Sequence, residues 1–79
     1  MDRKELEEKI AEIVATCYSV DAGKVAMTSR FKEDLNGTSL QMVGLVSEIE
    51  NELDVTVQLQ AAAACLTVGE LTDKVAGEL

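Results

Sequence analysis

Three stretches of the chain repeat their apolar residues at helical spacing, and two do not. Leu6, Ile10, Ile13, Val14 and Cys17 fall at i, i+4, i+7, i+8 and i+11, one face of an amphipathic helix. Asp2 supplies a side-chain cap and Glu5 follows three residues on, so the pattern predicts a first helix ending near Cys17. Met42, Leu45, Val46, Ile49 and Leu53 form a second stripe, widened by Leu40 and Val43. Thr38-Ser39-Leu40-Gln41 places Thr three before Gln, a capping box with Thr38 as N-cap and Ser39 as the first helical residue. This helix should end near Asp54. Thr67-Val68-Gly69-Glu70 reads as another capping box, with Leu66 and Leu71 at the spacing of a hydrophobic staple. Val68, Leu71 and Val75 would line the inner face of that last helix.

The intervening segments differ from each other. Tyr18 to Thr38 contains Gly23 and Gly37 and has no sustained period. Connections longer than about 12–15 residues are uncommon in compact domains and usually have a job. Val20, Val25, Met27, Phe31 and Leu35 are spaced along this one, which predicts a loop pinned to the core. In Val55–Cys65, Val55, Val57 and Leu59 alternate with polar residues, as in a strand, but no second strand pattern exists to pair with. Four consecutive alanines follow, so an extended bend and a short helix is the better reading. The fold class is therefore all-α: a small bundle of three main helices plus one short helix, with a long loop between helices 1 and 2.

Size and charge narrow the function. A chain of 79 residues is read as a single domain, 1–79, and one this short buries only about 60% of its unfolded surface. Aromatic residues make up 3%, so aliphatic side chains must fill the interior. The net charge is −8, and all of it lies in residues 33–79, because residues 1–32 balance six acids with six bases. Nucleic acid and anionic membrane surfaces are disfavoured, and a basic protein surface is the natural partner. Cys17 and Cys65 form neither a disulfide framework nor a metal-binding spacing and read as small apolar residues or free thiols. Met1 is followed at once by DRKELEEK, with no signal peptide and no run of about 20 apolar residues, so a cytoplasmic location is expected.

Ser39 is the residue with chemistry to explain. Catalysis is not expected of it: the chain has no His, and no Lys lies in the helix that Ser39 opens. Asp34, Asn36 and Thr38 alternate like calcium ligands, yet Ser39 and Leu45 stand where that loop needs Gly and Glu. No metal site is expected. Ser39 could be only a good residue for a helix start. The first turn of a helix, however, leaves backbone N–H groups without partners and carries partial positive charge. A covalent phosphodiester on Ser39 would be favoured there. The protein would then receive a modification rather than perform one.

EDLNGTSLQMVGLVSEIENELDV, Glu33 to Val55, resembles the signature of acyl carrier proteins and of the wider carrier family of fatty acid, polyketide and peptide synthesis. TVGELTDKV, Thr67 to Val75, looks like the family's final helix. The likeness covers nearly the whole chain. It implies that Ser39, flanked by Thr38 and Leu40, carries 4'-phosphopantetheine donated from coenzyme A by a phosphopantetheinyl transferase. Acyl groups would ride on that arm as thioesters, and the chain would be a monomeric carrier rather than an enzyme. Short acyl chains can fold back between helices in the family, so Met42, Val46, Ile49 and Leu59 would line a cargo cavity as well as a core. Acyl-transferring and acyl-modifying enzymes with basic docking surfaces would meet Glu33, Asp34, Gln41, Gly44, Glu48 and Glu50. Thr38 stands where the fatty-acid type usually has Asp, and Gln41 and Gly44 occupy an outer face that is acidic in that type. The proline often found in Val55–Cys65 is missing. An aminoacyl or peptidyl carrier, or an unmodified helical adaptor derived from a carrier, remains open on the sequence.

Overall fold

The computed structural model describes residues 2–79. Helix α1 spans Arg3–Tyr18, α2 Ser39–Leu53, α3 Leu59–Ala63 and α4 Val68–Ala76, with a single 3₁₀ turn at Ala22–Lys24. The three longer helices and the short one match the expected bundle. No β-strand forms among the described residues, and none of their helices is long and apolar enough to cross a membrane. α1 packs on both α2 and α4, while α3 bridges α2 and α4. Ile10 and Val14 from α1, Leu45 and Ile49 from α2, and Val68, Leu71 and Val75 from α4 are fully buried where the three meet.

α1 begins as its sequence dictates. The Asp2 carboxylate accepts the Glu5 N–H at 2.8 Å, tying down one of the orphan donors at the start of α1. α1 ends one residue later than the spacing suggested. Tyr18, at i+4 from Val14, is buried at 5% exposure and takes the inner position, while Cys17 lies half-buried to one side. Ser19 then turns left-handed, φ 56°, and its N–H bonds the Ala15 carbonyl. The start of α4 departs from its capping-box expectation. Thr67 does accept the Glu70 N–H at 3.2 Å, but the Glu70 carboxylate reaches past Thr67 to the Leu66 N–H at 2.7 Å. The staple does not close either: Leu71 is buried and Leu66 is 68% exposed. The reason lies in the connection before α4, where residues 66–67 pair with the long loop and cannot fold back onto the helix.

That pairing fixes the loop. The Phe31 N–H donates to the Leu66 carbonyl at 3.1 Å, Val68 N–H to Ser29 at 3.0 Å, and Gly69 N–H to Met27 at 2.7 Å. Arg30 and Thr67 face each other as an isolated antiparallel bridge. Buried Ser29 accepts the Ala26 N–H through its hydroxyl at 2.9 Å, which closes the bend before it. Apolar contacts complete the clamp as the sequence anticipated: Phe31 and Leu35 are buried, and Val20, Val25 and Met27 pack against the core. Buried Thr72 donates to the Val68 carbonyl at 2.8 Å, and no buried side-chain nitrogen or oxygen among the described residues lacks a partner.

Two helical glycines sit in opposite surroundings. A Cβ on Gly69 would lie 2.9 Å from the Met27 carbonyl oxygen, whereas one on Gly44 would meet nothing within 4 Å. Gly44→Ala should raise stability by about 0.5–1 kcal/mol through helix propensity alone. Gly69→Ala should lower it by about 1–3 kcal/mol, because the clip to Met27 must shift. Urea unfolding of the two variants checks both signs.

Candidate functional site

The loop delivers its last residues to the start of α2 through a tight sequence of turns. Asp34 and Leu35 N–H groups both bond the Arg30 carbonyl, at 3.0 and 3.1 Å, and Gly37 N–H bonds Phe31 at 2.7 Å. Asn36 supplies the left-handed residue, φ 53°. Gly37 has no room for a side chain: a Cβ would collide with the Tyr18 ring and lie 2.8 Å from the Phe31 carbonyl oxygen. The Tyr18 and Phe31 rings pack against each other with centroids 5.7 Å apart.

At α2 the capping box forms in full. Thr38 Oγ1 accepts the Gln41 N–H at 3.2 Å, and Gln41 Oε1 accepts the Thr38 N–H at 2.9 Å. Gln41, expected on the outer face, is thereby turned back and half-buried. Met42 N–H bonds the Thr38 carbonyl at 3.1 Å. The Ser39 and Leu40 N–H groups have no hydrogen-bond partner among the described residues. Ser39 is exposed, in the first turn, at the positive end of the macrodipole. An exposed hydroxyl beside two unpaired donors fits a phosphodiester, so the residues present accommodate a tethered phosphate.

A cavity of about 380 Å³ opens beside Ser39. That volume lies within the range of small-ligand pockets. Met42 and Leu59 line it. Val46 and Ile49 do not: they share the inner face of α2 with Met42 but lie one and two turns further along it, where they are 6% and 0% exposed in the core. The walls come instead from residues the sequence did not flag for this purpose, notably Tyr18, Phe31, Val43, Ala63, Cys65 and Leu66. Only Gly37 carried a local signal, a glycine beside a turn. What it clears space for, the Tyr18 ring, belongs to another element.

The candidate acids do not form one free patch. Arg30 pairs with Glu33 at 2.9 Å and with Asp34 at 3.1 Å, and Lys9 pairs with Glu52 at 3.1 Å. Half-buried Glu50 accepts the Val57 N–H at 3.0 Å and so latches the segment before α3 to α2. Glu48 and Gly44 are exposed on α2. Both cysteines are free thiols. Burial pushes the Cys65 thiol up, as it does Cys17, so both stay protonated and weakly nucleophilic at neutral pH.

Known proteins share this arrangement. Residues 8–75 match the family model described as the phosphopantetheine attachment site. The class is thus a phosphopantetheine-bearing carrier. An acyl carrier protein of Rubrobacter xylanophilus is 37% identical over 75 residues, which are 95% of this chain and 93% of that protein. The solved structure of an acyl carrier protein from Enterococcus faecalis, described for its high thermal stability, superposes with a TM-score of 0.79 at 28% identity and full coverage of both chains. The chain belongs to the acyl carrier protein family, whose members carry acyl groups on covalent 4'-phosphopantetheine and are not enzymes.

Thr38→Ala should cost about 1 kcal/mol in urea unfolding and Thr38→Asp should retain the cap. A second expectation concerns acid. Hydrogen bonds from the Arg30 guanidinium, then from the Arg30 N–H, hold the Asp34 carboxyl below its ordinary 3.8. A folded-state pKa below the unfolded one gives stability that is present above the unfolded value and lost as pH falls through the folded one. The stability difference between wild type and Asp34→Asn should therefore be full at neutral pH and close below about pH 4. Thermal melts across pH 2–7 would read it.

Proposed function

We propose that Ser39 is the residue that bears 4'-phosphopantetheine, with Thr38 and Leu40 as its recognition flanks, in a cytoplasmic carrier for fatty acid, polyketide or related lipid biosynthesis. The observation that carries this reading is an exposed hydroxyl at the first turn of α2, beside two unpaired N–H groups and at the mouth of an apolar cavity. Two free thiols suit a reducing compartment.

The chain's own residues bind and orient. The chain has no histidine and α2 no lysine to take the Ser39 proton, so the base that does so during loading belongs to the transferase. The Ser39 and Leu40 N–H groups then stand ready to donate to phosphate oxygens, and the α2 macrodipole favours the negative charge. When bound, the arm supplies a terminal thiol that holds the acyl group as a thioester. Met42, Leu59 and their neighbours offer the cargo an apolar refuge from water. The net charge of −8 favours partners with basic surfaces and speeds encounter more than it raises affinity, which suits a carrier that must release.

Incubation with coenzyme A and a broad-specificity phosphopantetheinyl transferase should add the mass of one phosphopantetheine. Ser39→Ala should abolish the gain and keep the thermal melt of the wild type. A gain that survives in Ser39→Ala, or none in the wild type with several transferases, would falsify the assignment.

A further inference from the structure

The chain is strongly acidic, yet the surface around Ser39 sums to no charge. Arg30, Lys32 and Glu33 border the same cavity mouth as Ser39, and Arg30 holds both Glu33 and Asp34. The two cations and two anions of residues 30–34 cancel. From Ser39 to Ser47 the helix has no ionisable residue at all. Beyond it, Glu50 is spent on the Val57 N–H and Glu52 on Lys9, which leaves Glu48, two turns past Leu40, as the exposed acid of α2 outside any of these pairs.

What this surface offers instead is apolar. Leu40 is 80% exposed, Leu66 68%, Leu59 44% and Val43 43%, four of the five large hydrophobic side chains left in solvent among the described residues. Val43, Leu59 and Leu66 line the cavity that Ser39 lines. Leu40 adjoins Ser39 and shares its side of α2 with Val43 and Gly44, at i+3 and i+4. Gly44 adds bare backbone with open space above it. Exposed apolar groups gathered in one place mark an interaction surface. The function names the occupant: the enzyme that loads Ser39 must bring its active site to that hydroxyl, so its surface covers Leu40 and the mouth.

We propose that the phosphopantetheinyl transferase docks on this chain through an uncharged, apolar contact centred on Leu40, Val43 and Leu66, rather than through ion pairs with α2. The proposal rests on Ser39 as the attachment residue. Charge far from the contact still attracts a basic partner at low salt. Close ion pairs are absent from the docked state, so salt beyond ordinary screening has little left to weaken.

The test measures initial loading rates with limiting carrier, saturating coenzyme A and a broad-specificity transferase, read by intact mass. Leu40→Ala should lower kcat/KM about tenfold, and Leu66→Ala by a similar factor. Leu40→Asp should lower it further. Raising NaCl from about 150 mM, where charges more than about 8 Å apart are already screened, to about 500 mM should change the wild-type value less than about threefold. Both leucines are exposed, and coincident circular-dichroism melts confirm the fold of each variant. Leucine variants within about twofold of wild type, or a salt effect beyond about tenfold, overturn the apolar contact. If every variant reaches the same final mass at an unchanged rate, only the docking proposal fails. If the wild type gains no mass, the attachment site itself fails and takes the proposal with it.

Discussion

Three backbone hydrogen bonds between residues 27–31 and 66–69 decide where Ser39 stands. A segment as long as the one between α1 and α2 has many ways to lie on a small bundle. Fixing its middle to the α3–α4 connection removes nearly all of them. The remaining stretch, from Phe31 to Thr38, is then short enough for turns and a close-packed glycine to dictate its path. The capping box sets the last angle, and α2 starts at the mouth of the cavity rather than elsewhere on its surface. Gly69 makes the clip possible, since any side chain there would meet the Met27 carbonyl.

The same geometry separates two roles that sequence composition would merge. The acids of the second half of the chain set its overall charge. Several of them are used internally: Asp34 and Glu33 on Arg30, Glu52 on Lys9, and Glu50 on a backbone N–H. The exposed ion pairs among them add little stability. Their effect is local: they leave Ser39 in a neutral setting within an anionic protein. Long-range attraction and short-range contact can then differ in kind.

How much of this was legible in the sequence depends on the range of the interactions. α1, α2 and α4 announce themselves through i, i+4 repeats, and Asp2, Thr38 and Thr67 mark their starts because capping is decided within three residues. The short α3 was also readable, from alanines with no partner strand. Membership of the carrier family was readable through the likeness of residues 33–55 and 67–75. The cavity was not. Its walls come from α1, the loop, α2, α3 and the linker before α4, and only the tertiary fold brings Tyr18, Phe31, Cys65 and Leu66 together. The Leu66–Leu71 staple failed for a similar reason: a local rule was overridden when the linker paired with a distant segment. Val46 and Ile49 show the limit of a stripe. Periodicity says that residues face inward but not whether they meet neighbours or empty space.

α3 has a consequence of its own. Five residues are too few to sustain a helix in water, since nucleation costs more than one turn returns. It persists because Ala62 is wedged fully out of solvent and the preceding segment is tethered through Val57. One flank of the hydrophobic chamber is thus built from the least self-sufficient piece of the protein, while the opposite flank belongs to long helices. Breathing of that flank requires only a subglobal excursion, far below the energy of complete unfolding.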